Sequence, residues 1–204
     1  GGEWIKVLYG LVLSTLLGFA FGWAAARLVE FLCKNMDRRR TTGFFGGAQI
    51  AGGAAMAFMH GAQDGQKFMG VFMLGIFLAN GQDNVTNFQI PLWLMVLCSA
   101  VMALGTSIGG YRIIKAVGMD MVKLEKYQGF SADLAASICL LLSSLFGIPV
   151  STTHTITACI FGVGSTKRLS AVRWGVAGNL VIAWILTIPR LRLHCRHRLL
   201  VHED

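Results

Sequence analysis

Two short polar clusters stand out because each interrupts a long apolar stretch. The first is His60-Gly61-Ala62-Gln63-Asp64-Gly65-Gln66-Lys67, where Asp64 and Lys67 are the only charges in the 38 residues from Gly43 to Asn80. An ionised carboxylate surrounded by apolar sequence must be paired, protonated or exposed to a water-filled cavity. Three roles follow for Asp64. With Gln63, Gln66 and backbone carbonyls it offers the hard oxygen ligands that suit a small cation. It can carry a proton. It can form an internal ion pair with Lys67, one helical turn later. The second cluster, Ser151-Thr152-Thr153-His154, follows Pro149, whose ring removes a backbone donor and biases its neighbour away from helix. A helix that starts there presents unpaired N–H groups and the positive end of its dipole, which suits an oxyanion without requiring a full formal charge. The same residues also make a good N-cap.

His60 and His154 sit at the two interruptions. His60 and Asp64 are four apart, so on a helix they share a face and can relay a proton or begin a metal site. Two ligands do not close a metal site, and a hydrogen-bonded strut is the alternative for each histidine.

The elements that position these clusters follow from composition. Of 204 residues, 54% are hydrophobic, 25 are glycine and only 14% are charged, too little charge to cover a soluble domain of this size. Uncharged runs from Val7 to Ala26, Asn84 to Tyr111 and Leu134 to Thr166 each reach the ~20 residues that cross a bilayer. Strands of a membrane barrel are absent from the pattern, so the expected fold is all-α: a polytopic membrane protein of five to seven transmembrane or re-entrant helical segments. The first run is too long for a signal-peptide core and reads as a span, with Gly18 and Gly22 four apart as a close-packing face. The net charge of +8 comes from basic clusters between apolar runs, not from a stripe with interleaved aromatics, so nucleic acid is not an expected partner. Basic residues at 27–40, 112–126 and 167–173 place those loops on the cytoplasmic side, with 81–89 outside. The five cysteines show no CxxC pair and read as free thiols.

Residues 1–189 are therefore expected to form the membrane domain, with breaks in the segments 43–80 and 134–166, and residues 190–204 a basic tail. Interrupted hydrophobic segments in corresponding positions mark the substrate site of many secondary transporters.

At these residues the sequence resembles the C-terminal half of the inorganic phosphate transporter (PiT) family. Phe58 to Gly70, with His60-Gly61-Ala62-Gln63-Asp64 at its centre, is similar to the family's H-G-A-N-D signature and its bacterial Q-K-x-x-G continuation. Gly147-Ile148-Pro149-Val150-Ser151-Thr152-Thr153-His154 resembles G-x-P-V-S-T-T-H, and Gly118-Met119-Asp120 and Gly129 to Ala135 also look like the family. The resemblance implies an alternating carrier built from two inverted halves, taking up phosphate with sodium or a proton, or as a metal–phosphate complex. Mapped onto this chain, it assigns substrate binding to Asp64, Gln63, Ser151, Thr152, Thr153 and Lys67. Cation binding falls to Asp64, Gln66, Ser151 and Thr153, and His154 closes the second motif. No cofactor beyond a coupling cation, Na+ or H+, is implied.

Three features depart from the family pattern. Gln63 stands where Asn is usual, the C-terminus from Arg190 is basic, and one half is present. The chain is expected to need a missing N-terminal half, or a homo-oligomeric partner inserted in the opposite orientation, and not to transport alone. The expected function is ion-coupled phosphate transport across the cell membrane, with inorganic phosphate and membrane lipid as partners. The rivals are a related oxyanion (sulfate) permease, an intramembrane hydrolase using Ser151 or Thr153 with His154 or a His60–Asp64 metal site, and a non-transporting structural or regulatory subunit. The hydrolase lacks a third triad member and a G-x-S-x-G elbow, and no enzymatic activity is expected.

Overall fold

The computed structural model describes residues 2–36, 38–79, 90–115, 121–148 and 150–201, and side chains within 9–36, 41–79, 90–111, 114–115, 121–148, 150–170 and 172–187. The expected outside loop 81–89, Gly118-Met119-Asp120 and Pro149 lie outside these residues. The described residues form six α-helices and one short 3-10 turn: α1 (Gly2–Cys33), α2 (Arg38–Ala79), α3 (Leu92–Lys115), α4 (Lys126–Leu145), α5 (Thr152–Ser165), the turn Leu169–Ala171, and α6 (Trp174–Val201). Three stretches among them are long and apolar enough to cross a membrane: Tyr9–Cys33, Leu92–Tyr111 and Lys126–Leu145.

The break expected within 43–80 does not occur: α2 runs without interruption through His60 to Lys67. The reason is local. No proline falls in this stretch, and isolated glycines such as Gly61 and Gly65 each cost a helix only about 1 kcal/mol. The polar side chains leave the backbone ladder intact and find partners at i+3, i+4 and on neighbouring helices. In the segment 134–166 the chain does leave the helix, between Leu145 and Thr152. The exit has the Schellman pattern: Gly147 takes φ 63°, its N–H donates to Ser144 O, and the Ile148 N–H donates to Ser143 O at 2.9 Å. The last helix also differs from expectation, since α6 continues through the basic residues to Val201 rather than ending near Pro189.

α4 and α5 form a hairpin that enters and returns on one side. Glu125, the N-cap residue of α4, pairs with Lys167, just beyond α5. The start of α4 and the end of α5 therefore lie together, beside the basic residues Lys123, Lys126, Lys167 and Arg168. Thr152, at the hairpin's turn, is about 20 Å along α5 from that end at ~1.5 Å per residue. The hairpin is clasped by α1 and α2. Gly18 of α1 lies against Thr155 and Ala158, Gly22 against Cys159, and Gly162 of α5 against Phe19 and Trp23, so α1 and α5 run parallel at near backbone contact. On the other side Gly52 of α2 meets Phe130 and Asp133, and Met56 meets Ser137, so α2 runs parallel to α4. α4 allows this approach because its buried face is mostly small: Ser131, Ala132, Ala135, Ala136, Ser137 and Ser143. The hydroxyls of Ser131, Ser137 and Ser143 donate to the carbonyls four residues back, which satisfies them without water. Met56, Ala135, Ala136, Leu140, Val150 and Cys159 pack as one cluster that holds the turn between α4 and α5 against α2. By contrast α3 exposes Leu92, Trp93, Val96, Val101, Leu104 and Ile108, an apolar surface suited to lipid or to another helix.

Candidate functional site

The start of α5 meets the middle of α2 at Asp64. Because His60, Asp64 and Lys67 are spaced i, i+4 and i+7, one face of the uninterrupted helix carries all three. Lys67 Nζ lies 2.9 Å from Asp64 Oδ1, and His60 Nε2 lies 3.4 Å from Asp64 Oδ2. From the hairpin, Thr152 Oγ1 donates to Asp64 Oδ2 at 3.0 Å, and the Val150 carbonyl accepts from Lys67 Nζ at 3.1 Å. Three groups from two sequence-distant elements thus converge on one carboxylate, and the Val150 carbonyl holds one of them, the Lys67 ammonium, from the hairpin side. Thr152 is 2% exposed, while Asp64 keeps 21% and Lys67 52% of their side chains exposed, so the cluster opens to one side.

The other residues singled out in the sequence divide between this cluster and its supports. Ser151 is the N-cap of α5: its Oγ accepts from the His154 N–H at 3.5 Å. Gln63, one residue before Asp64, is turned by about 100° around α2 and points elsewhere. Its Nε2 donates to Leu140 O at 3.0 Å and Ser144 Oγ at 2.8 Å, bracing α2 against the end of α4. Gln66 and Thr153 are exposed and do not join the cluster. The His154 ring lies against Trp184 of α6, centroids 3.7 Å apart. The Nδ1 atoms of His60 and His154 are buried and have no hydrogen-bond partner among the described residues. No group of three or more His, Cys, Asp and Glu able to hold a metal occurs among the described residues.

Sequence reasoning missed the Val150 carbonyl, Ser144 and Trp184, none of which carries a distinctive local pattern. It also assigned no role to Asp133. That residue is half-buried on α4, facing Gly52 and Gly53 of α2, and no hydrogen bond to its carboxylate occurs among the described residues. Its place within Gly129 to Ala135, a stretch that resembles the family, was the available signal.

The arrangement combines an anion-favouring helix start, a hydroxyl, an ammonium and a carboxylate at one place. Lys67 offsets the charge of Asp64, so a negatively charged ligand can approach the amides of α5 without facing an unpaired carboxylate. The carboxylate retains lone pairs beyond those used by Thr152 and Lys67 and can accept from a protonated ligand oxygen.

Comparison with known proteins bears on what this site serves. The model of the phosphate transporter family matches residues 1–191. A probable low-affinity inorganic phosphate transporter of Bacillus subtilis (strain 168) is 36% identical over 185 residues, covering 91% of this chain and 55% of the relative. One of the same description from Rhizobium meliloti (strain 1021) is 37% identical over 189 residues, covering 93% and 56%. Among solved structures, one titled the sodium-dependent phosphate transporter superposes with a TM-score of 0.65 at 24% identity, covering 90% of this chain and 53% of that one. The chain spans about half the length of the curated relatives it matches. From the family match over nearly its whole length and from its apolar spans, the chain is a multi-pass integral membrane protein that belongs to the phosphate transporter family.

Proposed function

We propose that this chain forms one half of an ion-coupled carrier of inorganic phosphate in the cell membrane, working with a second repeat of similar size. The observation that carries the reading is the meeting of Asp64 with Thr152 at the start of α5, at 3.0 Å. It joins the only acidic residue of α2 to a helix start that suits an oxyanion, the pairing of groups that a secondary transporter uses at its substrate site. Substrate contacts fall to Thr152, Lys67 and the first amides of α5, with Asp64 accepting from a phosphate O–H and Ser151 fixing the helix start. Gln63 acts as a brace, and His60 orients Asp64. Coupling to Na+ or H+ is part of the proposal.

The carboxylate favours phosphate over sulfate. Dihydrogen phosphate has protons to donate to Asp64, whereas sulfate at neutral pH has none, and an acceptor facing an acceptor is unfavourable when desolvated. The hydrolase reading has no comparable support, because Ser151 and His154 are joined through the backbone N–H, while the His154 ring packs on Trp184.

The test is phosphate uptake in proteoliposomes by the chain alone and together with an N-terminal-half or full-length counterpart, under imposed sodium or proton gradients. The proposal expects uptake that needs the counterpart, follows one gradient and is lost in Asp64→Asn. Uptake of sulfate but not phosphate would replace the substrate. Uptake unaffected by Asp64→Asn would remove the site.

A further inference from the structure

Lys67 holds an unusual position for a surface lysine of a membrane helix. Its Nζ is 2.9 Å from Asp64 Oδ1 and 3.1 Å from the Val150 carbonyl oxygen. The carbonyl belongs to the residue before the N-cap of α5, outside the helix, so the α5 ladder does not use it. A carboxylate oxygen and a free backbone carbonyl, contributed by two different elements, make the hard-oxygen donor set that a small monovalent cation takes. The Thr152 hydroxyl stands beside them on Asp64 Oδ2. Nothing in the helix geometry obliges the ammonium to bridge to the hairpin: an i, i+3 pair is complete within α2.

We propose that Lys67 is a built-in cation, its ammonium occupying the position between Asp64 and Val150 that a sodium ion would otherwise fill, so that this half binds its oxyanion without an alkali cation there. The inference rests on reading the Asp64 cluster as the oxyanion site. An ammonium has three donors, and the two contacts to Asp64 and Val150 leave a third N–H for an anion at the start of α5. A tethered charge balances Asp64 in each orientation of the carrier and cannot be released with the substrate. Any ion that drives transport is then a proton or a cation bound elsewhere in the assembled carrier. Lysine suits this role better than arginine, because a compact ammonium is closer to the point charge of an alkali cation than a planar guanidinium is.

The test substitutes Lys67→Met, which keeps the stem and removes the charge, in the full chain reconstituted in nanodiscs. Thermal unfolding is followed in sodium, potassium and choline chloride at equal ionic strength, without phosphate. Lys67→Met should gain a saturable stabilisation by sodium that choline does not give, and methylammonium, which restores the missing ammonium, should reproduce it. Asp64→Asn added to Lys67→Met should abolish it. In choline, phosphate binding to Lys67→Met should weaken by about tenfold or more, the loss of a charge-assisted contact, and sodium should restore most of it. Lys67→Arg, which keeps the charge, should remain as indifferent to sodium as the wild type. The inference is overturned if Lys67→Met gains no sodium response over the wild type, or if Lys67→Arg acquires one. Because the sodium response is read without phosphate, failure of every variant to bind phosphate would refute the functional reading separately.

Discussion

Adding one methyl group to the α1–α5 seam should unseat the site some distance away. A Cβ built on Gly22 would lie 2.3 Å from Cys159 O, and one built on Gly162 would lie 2.1 Å from Phe19 O, where ordinary contact begins at 3.4 Å. The obstructing atoms are backbone, so no rotamer change relieves them. The helices must part by ~1 Å, which forfeits roughly a quarter to a half of the dispersion attraction along the seam. Overpacking of this kind costs about 1–3 kcal/mol. The sign is informative, because Gly→Ala within a helix otherwise stabilises by up to about 1 kcal/mol. α5 carries Thr152, so the same movement would stretch its 3.0 Å bond to Asp64 toward ~4 Å, beyond useful hydrogen-bond range. Thermal unfolding in detergent and phosphate uptake in proteoliposomes measure the two effects. Gly22→Ala and Gly162→Ala should lower both stability and uptake. Gly75→Ala and Gly105→Ala, with nothing within 4 Å, should be neutral or more stable. If the seam variants match these controls, the packing argument is wrong.

Other outcomes follow from the same geometry. Gln63→Leu removes two hydrogen bonds between α2 and α4 and should cost about 1–2 kcal/mol in thermal unfolding, with a smaller effect on phosphate KM than Asp64→Asn. Gly147→Ala forces a side chain into φ 63° at the hairpin exit and should destabilise by about 1–2 kcal/mol, while Gly147→Asn recovers part of the loss. Lys167→Met breaks an exposed pair with Glu125 and should shift stability by no more than about 1 kcal/mol, with the shift shrinking as salt rises. A larger, salt-independent loss would mean that the pair holds the hairpin closed.

Much of the fold was legible from sequence because lipid imposes a simple rule: long uncharged runs must be helices. Asp64, Lys67 and Thr152 were legible for the same reason, since polar groups at that depth need partners. The continuity of α2 was not. Polarity in a side chain is easily mistaken for a break in the backbone, yet the helix ladder depends on backbone groups, and only the exit at Gly147 removes helical geometry there. Gln63 shows a second limit. Its amide was expected in the site by its place in a motif, but one residue of helical rotation turns it to α4. Which neighbour a side chain reaches depends on helix packing, and small faces such as that of α4 set it only once the helices have assembled.

The central claim is that α2 and the hairpin act as one site through Asp64 and Thr152. A double-mutant cycle of Asp64→Asn and Thr152→Val, read in phosphate uptake with the counterpart half present, tests it most directly. The account predicts strong coupling, the double variant losing little more than the worse single variant. Independent, additive losses, or wild-type uptake in either single variant, would contradict it.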